Sequence, residues 1–153
     1  MIELQYEMTY LETIDGPLAS TKGSPGEERL CWQVTSGSLQ GPRINATVVI
    51  PGTDWMRLGT DGLRRPDTRV QLTTVDGAVI LFHYDNALLR PTPKFLAALT
   101  GGGRTAWTDQ YMRMVPKFEV GAKAYSWLNQ SLFIGVGRVA GRLQIEYAIY
   151  RVE

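Results

Sequence analysis

The sequence predicts an all-β protein, a single antiparallel β-barrel of eight to nine strands with one short helix, spanning residues 1–153. Three observations predict it. Apolar and polar residues alternate with period two in short runs along the whole chain, the pattern of half-buried strands. Two Asp-Gly turns, Asp61-Gly62 and Asp76-Gly77, divide those runs at regular spacing, as in a meander. Only one segment carries helix caps. A sandwich would share this pattern, but closing the sheet removes its edges, and about eight strands enclose room for side chains or one small ligand.

Taken in order, Ile2, Leu4, Tyr6, Met8 and Tyr10 alternate with Glu3, Gln5, Glu7 and Thr9 as a first strand. Gly16 to Gly26 is rich in Gly, Pro, Ser and Thr and reads as a loop, either a lid at one barrel mouth or a plain connection. Leu30, Trp32 and Val34 continue the alternation, as do Ile44, Ala46, Val48 and Ile50 up to Pro51-Gly52, a pair expected to end a central strand. Trp55 to Leu58 is a short extended piece. Asp67 to Thr74 and Ala78 to Tyr84 flank Asp76-Gly77 as a hairpin. Thr92 caps a helix over Lys94 to Leu99, with Pro93 at its first position and Gly101 as its stop. Trp107 to Glu119 reads as a strand bent near Pro116, and Tyr125 to Asn129 as a turn. A strand through Leu132, Ile134 and Val136, a turn over Gly137 to Gly141, and a last strand from Leu143 to Tyr150 complete the chain.

Composition excludes several classes. Sixteen Lys and Arg against 15 Asp and Glu leave a net charge of +1, which offers no footprint for nucleic acid or an anionic membrane surface. One cysteine and one histidine exclude an internal disulfide and a multi-Cys or multi-His metal site. Gly101-Gly102-Gly103 is followed by Arg104-Thr105 and a strand-like stretch, so it lacks the Lys and helix of a phosphate loop. The first residues form no signal peptide and no apolar run is long enough to span a membrane. The expected compartment is the cytoplasm, and neither metal nor cofactor is expected.

The order of Gly37, Gly41-Pro42, Pro51-Gly52-Thr53-Asp54-Trp55, Asp61-Gly62, Asp67-Thr68-Arg69, Thr74-Val75-Asp76-Gly77-Ala78, Tyr111, Phe118-Glu119 and Tyr125-Ser126-Trp127-Leu128-Asn129 resembles the domain of unknown function 3237 family of small bacterial and fungal proteins. The resemblance implies a calycin-like (lipocalin-like) β-barrel that associates as a homo-oligomer. It also implies kinship with natural-product tailoring proteins, in which cofactor-free cyclases or isomerases would suit an aromatic pocket. The chain departs from the pattern at Val70, where Tyr is usual, and at Thr53, where a small residue such as Ala is usual. The first departure removes a phenol beside Arg69.

Four residues are candidates for chemistry. Asp54, beside Trp55, would act as general acid or base if a barrel mouth raises its pKa; equally, it could accept turn N–H groups. Arg69 shares a strand face with Asp67 and would orient a carboxylate, enolate or phenolate oxygen, or else close a salt bridge to Asp67 or Glu119. His83 could pair with Asp85 on one strand face, or be a structural histidine. Tyr111, on one face with Arg113, could donate to a substrate oxygen. Trp55, Arg113, Tyr125 and Trp127 are candidate ligand contacts, the aromatics serving as pocket wall or as packing. Cys31 has no base at hand and reads as an inert thiol.

The expectation is a barrel that binds a small organic ligand and acts as a cofactor-independent cyclase, isomerase or lyase on an aromatic or polyketide-like substrate. In that scheme Asp54 or His83 moves a proton, while Arg69 and Tyr111 stabilise oxyanion charge. The alternatives are a non-catalytic carrier or sensor, or a structural oligomerisation module. Apolar residues on both faces of Ala78 to Tyr84 suit the last of these.

Overall fold

Alternating burial along each strand divides the sheet into an apolar inner face and a mixed outer one. In a computed structural model describing residues 1–153, the strands are β1 (Leu4–Ser20), β2 (Glu28–Gly41), β3 (Ile44–Leu58), β4 (Arg64–Arg65), β5 (Thr68–Thr74) and β6 (Val79–Arg90), followed by β7 (Tyr111–Val120), β8 (Phe133–Gly141) and β9 (Gln144–Val152). Helix α1 (Pro93–Gly101) lies between β6 and β7, and a 3-10 turn (Lys123–Leu128) between β7 and β8. All nine strands belong to one antiparallel sheet that returns on itself. Strand β1 pairs with β2 on one side and with β9 on the other, while β3–β5 and β5–β6 pairings complete the ring. The two-residue β4 bridges β3 and β6 at one rim. The expected all-β barrel with one short helix is the observed architecture.

Helix α1 forms where its caps place it. The Thr92 hydroxyl accepts from Phe95 N at 3.2 Å, Pro93 opens the helix, and Gly102 closes it in a left-handed conformation at φ 92°. Phe95, Ala98 and Leu99 turn its apolar side onto the barrel end. Leu143 N donates to Leu99 O at 2.8 Å and fixes the helix to the β8–β9 turn. The opposite end is closed by the 3-10 turn, whose Leu128 is buried.

Inside, an aromatic column runs through the barrel. Tyr10 and Phe82 have centroids 4.7 Å apart, Phe82 and Phe118 stack at 5.1 Å, and Phe118 meets Phe133 edge-on at 5.2 Å. On the other side of Phe82 the column reaches Tyr84 and then Tyr147, at 5.6 and 5.5 Å. Each such contact adds about 0.5–1.5 kcal/mol beyond its burial.

Four boundaries differ from the sequence reading. Strand β1 runs on through the cis Gly16–Pro17 bond to Ser20, so only the second half of the expected 16–26 loop is irregular. Pro51-Gly52 does not end β3. The ladder to β5 slips between Ile50 and Thr53, a bulge that accommodates the missing proline donor. Gly52 fits there because a Cβ would collide with the Val70 side chain and the Arg69 carbonyl. The expected turn over Gly137 to Gly141 is strand, with the turn at Arg142 and Leu143. Strand β7 likewise begins at Tyr111 rather than Trp107.

Gly135 and Gly137 face inward, and their missing side chains make room for large neighbours. A Cβ on Gly137 would lie 2.6 Å from Tyr147 Cε1 and 2.7 Å from Met112 Cγ. Gly137→Ala is therefore expected to destabilise the fold by about 1–3 kcal/mol through overpacking. Gly121→Ala, where a Cβ meets nothing, should leave the chemical denaturation midpoint unchanged.

Candidate functional site

Continuing the inward side of β1 beyond Tyr10 brings Glu12 and Ile14 into the barrel. The same parity turns Trp32 inward from β2, and Asp54 with Met56 from β3. These side chains meet at the α1 end around a cavity of about 30 Å³, closed by Arg64, Pro66, Phe95 and Leu99 and walled by Tyr84, Met112 and Tyr147. That volume suits one or two water molecules. The lining is mostly apolar, and within it lie two carboxyl groups.

Glu12 is almost wholly buried, and both of its oxygens are occupied. Tyr10 Oη donates to Oε2 at 2.9 Å and Tyr84 Oη to Oε1 at 3.1 Å. Burial, reinforced by the charge of Asp54, raises its pKa to about 8 against the opposing pull of the two phenols. Asp54 is raised to about 7, again by burial first, although Asp67 N donates to its Oδ1 at 2.9 Å. The phenols of Tyr10, Tyr84 and Tyr147 are pushed well above their ordinary value by burial and by Glu12, so all three remain neutral donors. The chamber thus holds two coupled carboxyls, both raised by burial, which retain protons toward neutrality as a pair.

Of the residues singled out in the sequence, Asp54 alone reaches this chamber. Arg69 follows inward Thr68, so parity turns it outward, onto a shallow outer groove shared with His83, Gln71 and Glu119. It makes no ion pair with either Asp67 or Glu119; Asp67 instead lies 3.7 Å from Arg29. His83 stands opposite Arg69 on the outer face of β6, and Asp85 meets Lys117 at 3.7 Å. Trp55 is exposed on the outer face of β3. Tyr111 and Arg113 flank inward Met112, hence they too face out, the guanidinium 4.9 Å from the phenol ring centroid.

Tyr125 and Trp127 belong to the far end. Tyr125 Oη donates to Asp76 at 2.8 Å, and Arg43 stacks 3.8 Å from the Trp127 centroid. Asn129 ties the turn to Val120 through both its amide groups. The expected convergence of Asp54, Arg69 and Tyr111 is therefore not found, because one-residue parity separates the two faces of every strand. No three His, Cys, Asp or Glu side chains converge as metal ligands.

Glu12 lies just beyond the alternation that defines the first strand in the sequence, which stops at Tyr10. The signal was present: Met8, Tyr10, Glu12 and Ile14 keep a single parity, which sets an acidic residue on an otherwise apolar face. Arg64 carried no comparable signal, since its place depends on the β4 bridge at the rim.

A closed antiparallel barrel with one helix over its end and a carboxyl pair within defines the class of protein. The chain belongs to the family described as "Protein of unknown function (DUF3237)", whose model matches residues 3–152. A "UPF0311 protein" of Rhodopseudomonas palustris is 29% identical over 147 residues, covering 95% of this chain and 94% of the relative. Among solved structures, a β-barrel-like protein from Acinetobacter baumannii superposes with TM-score 0.81 at 25% identity, covering 100% of this chain and 97% of the other. An enzyme from Penicillium herquei superposes with TM-score 0.69 at 21% identity, with coverage of 99% and 95%.

The carboxyl pair makes folding depend on pH. Unfolded, both groups ionise in the ordinary range near about 4; folded, they hold their protons to about 7 and about 8. Across that interval the folded state binds more protons, so stability falls as pH rises through it. Thermal midpoints should therefore decline between about pH 5 and pH 8 in the wild type, and decline less steeply in Glu12→Gln and Asp54→Asn.

Proposed function

We propose that the protein is a cofactor-independent acid–base catalyst, an isomerase, cyclase or lyase acting on a small aromatic or cyclic carbonyl compound inside the barrel. The observation that carries this reading is the pairing of Asp54 and Glu12 in one apolar chamber with their pKa values raised to about 7 and about 8. Two carboxyls whose surroundings hold them in different protonation states divide the roles of base and acid. The Asp54 carboxylate removes a proton from carbon beside the substrate carbonyl. Glu12, steadied by Tyr10 and Tyr84, gives its proton to the carbonyl oxygen as negative charge develops there. Delivering the Asp54 proton to a different carbon while the enol oxygen returns its proton to Glu12 completes an isomerisation. In a cyclisation the enol carbon bonds an internal acceptor, which takes the Asp54 proton as the enol oxygen returns its own to Glu12. Neither route needs an oxidant or reductant. The same fold in an enzyme from Penicillium herquei supports the reading at the level of architecture.

A second reading, a binding or purely structural barrel, is favoured by the small cavity of about 30 Å³. On the catalytic reading, side chains of α1 and the β4 rim must yield for the substrate to enter. The two readings part on proton exchange, measured as deuterium incorporation beside the carbonyl of 1-tetralone and related aromatic cyclic ketones in neutral D2O. The wild type is expected to accelerate exchange, and Asp54→Asn and Glu12→Gln to lower the rate about 10²–10⁴-fold while keeping the folded circular-dichroism spectrum. Exchange no faster than in buffer across the series would overturn the catalytic reading.

A further inference from the structure

The chamber contains more hydrogen-bond donors than the protein satisfies. Arg64 sits at the β4 rim, where it lines the cavity and is partly desolvated. Other part-buried arginines have partners: Arg29, Arg57, Arg65, Arg138 and Arg151 lie within 4.0 Å of carboxylates, and Arg113 donates to a backbone carbonyl. Arg64 has neither, although Glu12 and Asp54 line the same cavity. A guanidinium remains charged under these conditions, and leaving it partly buried without a counterion is costly.

Trp32 supplies the second observation. The residue is 9% exposed and lines the cavity, and its Nε1 is buried without any acceptor. An orphaned buried N–H costs about 1–3 kcal/mol. Around these two donors the walls are aliphatic and aromatic apart from the Glu12 and Asp54 carboxyls. A guest complementary to such a chamber carries negative charge and acceptor oxygens on a compact apolar body.

We propose that the ligand of the barrel is a small organic anion, a carboxylate or stabilised enolate, whose oxygen is received by the Arg64 guanidinium and the Trp32 indole N–H. This narrows the substrate class of the proposed acid–base site and rests on that reading only for its catalytic consequence. Binding of the anion stands on Arg64 and Trp32 alone. The anchored oxygen would also hold the neighbouring carbon against the carboxyl pair.

The test uses benzoate and its neutral isostere benzamide as probes, with acetate and acetamide as a smaller pair. The Trp32 indole N–H resonance, assigned by its loss in Trp32→Phe, is followed during titration. Benzoate is expected to shift that resonance and raise the thermal midpoint, whereas benzamide should bind at least tenfold more weakly. Arg64→Gln should lose at least tenfold in benzoate affinity, and Arg142→Gln, an exposed arginine on the β8–β9 turn, should bind as wild type. Trp32→Phe should weaken benzoate while retaining the fold.

Equal binding of anion and amide, unchanged affinity in Arg64→Gln, or no response to any of the four probes would each overturn the proposal. Its failure is separable from that of the acid–base reading. Proton exchange that persists while anion binding is absent would remove only the anion site. Arg64-dependent benzoate binding without any proton exchange would remove only the catalysis.

Discussion

Two carboxyl groups enclosed by a barrel impose the condition that the rest of the interior has to meet. A carboxylate placed in apolar surroundings without donors is strongly disfavoured, and this chain meets that condition in two ways. Glu12 receives two phenols, one from its own strand and one from β6 across the barrel. Asp54 receives the Asp67 amide at the start of β5. Those donors belong to the aromatic column, for Tyr10 packs on Phe82 and Tyr84 on Tyr147. The column's geometry and the protonation of the carboxyls are thus set by the same side chains.

Polar chemistry at the far end follows the opposite logic. Glu7, at the β1 bulge, lies 2.8 Å from both Arg43 and Arg151. Burial pushes its carboxyl up, but the two arginine hydrogen bonds outweigh that and hold it below its ordinary value. Arg43 also covers Trp127, so the β2–β3 turn, the first and last strands and the 3-10 turn are tied together at one point. A carboxylate with two guanidinium partners fastens the frame. A carboxyl whose partners are neutral phenols keeps the capacity to exchange a proton. The two ends of the barrel differ in the charge of the groups that surround their acids.

Much of the fold was legible in the sequence because strand period and turn chemistry are local. Asp76-Gly77, the Thr92 cap with Pro93, and the alternation of Leu30, Trp32 and Val34 all report on their immediate neighbours. Boundaries failed where a distant partner decided them. Pro51-Gly52 reads as a stop until β5 is seen to slip past it, and Gly137 reads as a turn until Met112 and Tyr147 occupy the space it leaves. The site was less legible for a related reason. Asp54 is visible as an acid beside an aromatic, but which face of the strands carrying Arg69 and Tyr111 turns inward is fixed only by the burial of Thr68 and Met112. Glu12 and Arg64 enter the chamber only through pairings of residues remote in sequence.

Strand β1, which carries Glu12, borders β2 on one side and β9 on the other, with Leu4 opposite Val152. The ring can close only when its last strand has been synthesised, and such long-range pairing slows folding. Until that moment Glu12 and Asp54 are hydrated and ionised at neutral pH, and their places in the interior do not yet exist. Enclosing the two carboxyls therefore draws protons from solution at neutral pH, so the folded barrel carries less negative charge than its open chain.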